Sequence, residues 1–216
     1  MINIYITATN TNIGKTYTTL KLIEAFSALG YRIGVMKPIE TGVVDKAEDA
    51  TLLLNAAKKV NPDFTSIQIS DICPIQFPLP AAPFVAKANE KIDFEKIKQA
   101  YKKLTKHCDI LLIESAGGVM TPVEDDFIMM DFTAFFNTTT LLITDDQLGC
   151  INNTLLNMQL FKIYGEKYVW CVNKKSKEED FETVSLPYFK EKFDSVLTVQ
   201  NDIKEIANSL LSLSRE

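Results

Sequence analysis

Ile2, Ile4 and Ile6 alternate with Asn3 and Tyr5, which is the two-residue period of a strand. The period then lengthens: Leu20, Ile23, Phe26 and Leu29 recur at helical spacing up to Gly30, a residue suited to end a helix. Ile33 to Met36 reads as a second strand that Lys37-Pro38 ends, because proline brings no N–H to a ladder. Ala47 to Val60 predicts a helix with Leu52, Leu53, Ala56, Ala57 and Val60 on its apolar side. From Asn61 to Pro83 the pattern is irregular and proline-rich (Pro62, Pro74, Pro78, Pro80, Pro83), a loop of the length that serves function or wrapping. Asp93 is placed to cap a helix to about His107, with Phe94, Ile97, Tyr101 and Leu104 on one face. The unbroken run Ile110-Leu111-Leu112-Ile113 is the pattern of a strand buried on both faces.

Beyond it, Asp126 is expected to cap a helix over Phe127–Phe136, and Thr140–Thr144 to form a strand. A helix from Cys150 through Ile163, a strand over Tyr168–Val172 and a charged loop over Lys174–Asp180 follow. The chain then predicts a helix over Phe181–Phe193, a short strand over Ser195–Val199 and a terminal helix with Asp202 and Glu205 as its capping box. Strands alternating with helices imply an α/β fold with a doubly wound, mostly parallel sheet. With 216 residues, 46% of them hydrophobic, and no linker-like stretch, one domain over residues 1–216 is the expectation.

A net charge of -5 leaves no basic face in bulk for nucleic acid or an anionic membrane, so a free small molecule is the expected partner. The four cysteines stand singly and His107 is the sole histidine, a set that indicates neither a zinc site nor a disulfide framework. Met1 runs straight into the first strand and the apolar runs are short, so a cytoplasmic, non-membrane protein is expected.

The chemistry gathers where strands end. Ala8-Thr9-Asn10-Thr11-Asn12-Ile13-Gly14-Lys15-Thr16 lies between the first strand and the first helix, the context of a phosphate-binding loop. In such a loop backbone N–H groups surround a polyphosphate, the lysine reaches the β and γ phosphates, and the last hydroxyl ligates Mg²⁺. Ala8 and Thr9 stand where the usual loop opens on glycine, which predicts a wider turn. Lys37 is delivered to a strand's carboxyl end, on the edge where open parallel sheets bind ligands. Asp49, in a helix's first turn, suits either dipole compensation or a metal. Glu114 ends the buried strand and is the best-placed Mg²⁺ carboxylate; the small residues Ser115-Ala116-Gly117-Gly118 follow it and let backbone approach a ligand. The helix start at Cys150-Ile151-Asn152-Asn153 is a further candidate anion site. Lys15, Lys37, Thr16, Asp49 and Glu114 thus suit Mg²⁺ and a nucleotide polyphosphate, and phosphoryl transfer by positioning and charge neutralisation.

Thr9, Thr11, Gly14-Lys15-Thr16, Lys37-Pro38, Thr41-Gly42, Asp49, Glu114 with Ala116-Gly117-Gly118, Thr121-Pro122 and Leu148-Gly149-Cys150-Ile151-Asn152 together resemble the dethiobiotin synthetase family, over about residues 1–173. The resemblance implies ATP-dependent closure of the ureido ring of dethiobiotin from 7,8-diaminopelargonate and CO₂, through a carbamate and a mixed carbamic-phosphoric anhydride. It implies catalytic roles for Lys37, Lys15 and Thr11. Nucleotide contacts fall to Asn12, Ile13, Gly14, Lys15, Thr16, Tyr17, Asp49, Glu114, Ser115, Ala116, Gly117 and Asn173, with Thr16, Asp49 and Glu114 on Mg²⁺. Substrate contacts fall to Thr41, Gly118, Leu148, Gly149, Cys150, Ile151 and Asn153, the helix start coming from a partner subunit, so a homodimer is implied. A nucleotide switch or partitioning ATPase acting on protein partners, and a non-catalytic phosphate-binding module, are the alternatives. A GTPase's Asn-Lys-x-Asp reader is absent, since Ser176 closes Asn173-Lys174-Lys175-Ser176. The chain also departs from the family's Asn-Asp base reader at Lys174 and has no proline over residues 195–200, which implies only modest selectivity for ATP over other bases.

Overall fold

The computed structural model describes residues 1–175 and 181–215. The chain runs β1 (Ile2–Ala8), α1 (Lys15–Ala28), β2 (Ile33–Met36), β3 (Ile39–Thr41), α2 (Glu48–Val60), α3 (Ile69–Ile72), β4 (Ile75–Phe77), α4 (Pro83–Ala86) and α5 (Phe94–Leu104). It continues through β5 (Ile110–Glu114), β6 (Pro122–Glu124), β7 (Phe127–Ile128), α6 (Phe132–Phe136), β8 (Thr139–Asp145), α7 (Cys150–Tyr164), β9 (Tyr168–Asn173), α8 (Leu186–Lys192) and α9 (Ile203–Leu213).

The expected doubly wound α/β architecture is present. The main sheet has the order β2-β5-β1-β8-β9, and every neighbouring pair is parallel. The apolar run of β5 is buried throughout, as a central strand covered on both faces requires. Helices α1, α2 and α9 cover one face of the sheet and α5, α6 and α7 the other. On the first face α1 packs against both α2 and α9; on the second, α5 lies on β2, α6 on β1 and α7 on β8. Strand order reverses at β1: the chain first moves outward to β2, then crosses to β8 after β5. The crevice at the carboxyl ends of β1 and β5 is therefore the topological place for a ligand. Helix α1 ends as its glycine predicts, with Gly30 at φ 87° and the N–H groups of Gly30 and Tyr31 donating to the carbonyls of Ser27 and Phe26.

Several expectations are corrected. The segment over 61–83 is not irregular: it holds a 3₁₀ turn at Pro62–Phe64, α3, and β4 paired in parallel with β3. Each piece is too short to display a period. Phe127–Phe136 is not one helix capped by Asp126. Phe127 and Ile128 pair antiparallel with β6, the Asp131 carboxylate accepts the Ile128 N–H at 2.7 Å, and only Phe132–Phe136 is α-helical. The aromatic spacing mimics a helix face because Phe127 and Phe132 meet across the turn, 4.9 Å between ring centroids. Helix α5 stops at Leu104, leaving His107 in the turn beyond, its carbonyl accepting from the buried Asn61 amide. Leu52 is exposed and Leu54 takes the inward place on α2; Leu29 is exposed as well.

Near the C-terminus, the helix expected over Phe181–Phe193 opens as a π-helical turn, Phe181–Ser185, before α8. The Ser195–Val199 strand reduces to a single bridge between Thr198 and Val172. Asp202 does not form a capping box with Glu205, because its carboxylate accepts from the N–H and hydroxyl of Thr198. Of the charged loop expected over Lys174–Asp180, residues 176–180 lie outside the described residues.

Candidate active site

Strand register assembles the site. β1 and β5 pair with Ile6 opposite Glu114, which puts that carboxylate beneath the loop leaving β1. β2 and β5 pair with Met36 opposite Ile113, so Lys37 and Glu114 emerge side by side. The loop itself turns at Asn12 (φ 59°) and Gly14 (φ 101°), left-handed positions that asparagine tolerates and glycine adopts freely. These two residues, rather than Ala8 and Thr9, supply the tight bends.

Glu114 is fully buried and organises its neighbours. Its Oε1 accepts from the Thr16 hydroxyl at 2.9 Å and from Lys37 Nζ at 2.7 Å, and its Oε2 accepts from Thr19 at 2.8 Å. Lys37 Nζ also donates to Asp49 Oδ2 at 2.8 Å. Asp49 reaches it because α2 begins in the right place. The residue preceding that helix is Ala47, which has no capping oxygen, and the buried carboxylate of Glu40 accepts the N–H groups of Asp49 and Ala50 instead. Lys15 Nζ donates to the carbonyl of Asn10 at 3.3 Å.

The two lysines differ electrostatically. Burial and then the nearby Lys37 charge push Lys15 down to about 8. Burial also penalises the Lys37 ammonium, but the Glu114 and Asp49 carboxylates outweigh it and raise its pKa above the ordinary lysine value. Burial raises Asp49, and Lys37 more than reverses this, so its pKa is lowered. Burial lifts that of Glu40 against the amide hydrogen bond it accepts from Ala50. One cation is thus held between two anions, with a second cation beside it.

These groups border a cleft of about 790 Å³. Of the residues expected from sequence, Thr11, Asn12, Gly14, Lys15, Thr16, Lys37, Thr41, Asp49, Ala116 and Gly117 line it. Glu114 lies directly behind them through its bonds to Thr16 and Lys37. Ile13 is buried, Tyr17 is exposed on the first turn of α1, and Ser115 is buried with its hydroxyl on Thr7. Gly118 packs on the loop, where an added Cβ would meet the Thr9 carbonyl at 3.3 Å. Asn173 bonds the Ile13 carbonyl. Leu148, Gly149, Cys150, Ile151 and Asn153 do not join this cleft: they lie after β8, with Leu148 exposed and the Cys150 side chain packed against Val172, Phe181 and Phe189. Burial pushes the Cys150 thiol up, away from thiolate chemistry. Thr121, part of the family resemblance, also lines the cleft, whereas sequence reasoning missed Glu40, Thr19, Lys175 and the Pro80–Pro83 wall. The proline cluster was the one signal for the wall.

A family model described as an AAA domain matches residues 3–191. The ATP-dependent dethiobiotin synthetase BioD of Sulfurovum sp. (strain NBC37-1) is 46% identical over 210 residues, covering 97% of this chain and all of that protein. That of Wolinella succinogenes is 32% identical over 212 residues, covering 97% of this chain and 98% of that protein. The chain belongs to the ATP-dependent dethiobiotin synthetase family. It is accordingly an ATP-dependent ligase with ATP as co-substrate. Among solved structures, the MinD cell division protein of Aquifex aeolicus is similar with a TM-score of 0.52 at 15% identity, covering 96% of this chain and 86% of that one. This second likeness is one of fold alone.

For a dethiobiotin synthetase the donor set suits Mg²⁺. Thr16, Asp49 and Glu114 offer hard oxygen donors, and the Lys37 ammonium already bridges the two carboxylates, marking where positive charge is favoured. Among the described residues no group of three or more His, Cys, Asp or Glu side chains gathers to hold a metal. Mg²⁺ asks for no more than one or two carboxylates, since phosphate and water complete its shell.

Proposed function

We propose that this dethiobiotin synthetase closes the ureido ring of dethiobiotin from 7,8-diaminopelargonate and CO₂, with Mg²⁺ and ATP, in the cytoplasm. The observation that carries the reading is the pair of lysines on one cleft, Lys37 kept charged between Glu114 and Asp49 and Lys15 at the phosphate loop. One substrate amine adds CO₂ to give a carbamate and releases a proton. A carbamate oxygen then attacks the γ-phosphorus of ATP, and ADP leaves. The second amine attacks the carbamoyl carbon, and phosphate departs with one former carbamate oxygen as the ring closes. A carbamate and a γ-phosphate are both anions, so their approach needs fixed positive charge. Lys15 and Lys37 provide it, while Thr11 and Thr41 offer hydroxyl groups on the same wall. Thr16, Asp49 and Glu114 would hold the Mg²⁺, whose chemistry is neutralisation of the phosphate oxygens. His107 takes no part, since it lies in the turn before β5, at the opposite end of that strand from Glu114.

A homodimer belongs to the reading, with the Gly149-Cys150-Ile151 helix start binding the substrate's distal carboxylate in the partner subunit's cleft. Support comes from the face of α7, where Leu156 and Ile163 are exposed beside a groove lined by Leu155, Met158, Tyr168 and Phe193. The test is phosphate release from ATP with and without 7,8-diaminopelargonate. A synthetase releases phosphate only with the substrate; release without it favours a switch or partitioning ATPase, and no release in either case favours a binding module.

A further inference from the structure

The phosphate loop is tied to a residue near the chain's end. Asn173, at the end of β9 and 3% exposed, donates from Nδ2 to the Ile13 carbonyl at 2.8 Å. Its Oδ1 accepts from Gln200 Nε2, also at 2.8 Å. Gln200 in turn grips the backbone of Lys174 at both groups: Nε2 donates to the carbonyl at 2.9 Å and Oε1 accepts the N–H at 3.1 Å. The turn bearing Gln200 is itself fixed, because Val172 and Val199 donate to the carbonyls of Leu197 and Val172. The Asn173 amide lies directly on the loop, so that a Cβ added at Gly14 would fall 2.0 Å from Nδ2.

The peptide plane gives this tie a consequence. In a trans peptide the carbonyl and the following N–H point in opposite directions, so a donor that holds the Ile13 carbonyl fixes the Gly14 N–H pointing away from Asn173. The cradle of a phosphate loop consists of such N–H groups. We propose that Gln200 is a positioning residue for nucleotide binding, acting through Asn173 on the Ile13 carbonyl and so on the N–H groups of the phosphate cradle. This rests on the reading of Asn12 to Thr16 as the phosphate loop.

Gln200 is exposed, so Gln200→Leu removes its hydrogen bonds with little risk to the fold. In the nucleotide-free protein, hydrogen exchange over residues 10–18 is expected to quicken in Gln200→Leu and in Asn173→Ala, with β1 and β5 unchanged. ATP affinity, read by calorimetry, should fall about three- to tenfold in each, the equivalent of one neutral hydrogen bond. The double variant should bind no worse than Asn173→Ala, since both act through one contact. Unchanged exchange with weakened ATP binding would mean that these residues do not act through the loop and would overturn the proposal; unchanged affinity would overturn it too. Failure of the unaltered protein to bind ATP would count against the loop reading itself.

Discussion

Lys37 is a buried ammonium held by two carboxylates, and its surroundings keep it charged. A charge held ready in a nearly dry site acts on developing negative charge far more strongly than one in water. We expect Lys37→Ala to lower kcat by about 10²- to 10³-fold, the usual loss for one such electrostatic group, while thermal unfolding stays cooperative. Lys37→Gln separates charge from bulk, and near-normal turnover in it would remove the charge from the mechanism. At this scale the sequence was readable wherever a polar residue ended an apolar run, which is why Lys37 and Glu114 stood out. Glu40 and Gln200 left no such mark. Each acts on backbone that is distant in the chain, the start of α2 for one and the residue after β9 for the other, and only folding makes them neighbours.

Among elements, the long parallel strands and α1, α2 and α7 were legible because full burial or a cap leaves a period that local sequence can carry. The short elements were not. β7 and α6 are held by the Phe94, Phe127, Phe132 and Phe136 ring cluster, β6 by its pairing with β7, and β3 with β4 by each other. The edge of β2 shows what ties elements electrostatically: Arg32 donates to Asp109 through its backbone N–H, Nε and Nη2, and to Asp63 through Nη1. Those bonds hold the Asp109 carboxyl below its ordinary range. A depressed carboxylate contributes stability that is present above its unfolded pKa, about 4, and lost as pH falls through the folded value. Asp109→Asn should therefore lower stability modestly at pH 7, the pair being largely exposed, and the difference should close at strongly acid pH, where the carboxyl is protonated in both the folded and the unfolded state. Urea denaturation at the two pH values checks this; an equal deficit at both would assign the effect to packing.

For the whole molecule, the order β2-β5-β1-β8-β9 explains why one cleft gathers residues from the ends of β1, β2 and β5 while the start of α7 stays apart. In the dimer reading that helix start completes the partner's cleft. Leu156→Glu, on the exposed face of α7, should yield monomers by light scattering and abolish activity; full activity from a demonstrated monomer would contradict it. If this cleft brings a carbamate to the γ-phosphate of ATP, an oxygen that began in CO₂ ends on phosphorus. Single-turnover reaction with ¹⁸O-labelled CO₂, run faster than its exchange with water, should yield phosphate carrying one labelled oxygen, the atom that passes from carbamate to phosphorus. Unlabelled phosphate formed together with dethiobiotin would contradict the account, since the γ-phosphoryl group would then have gone to water.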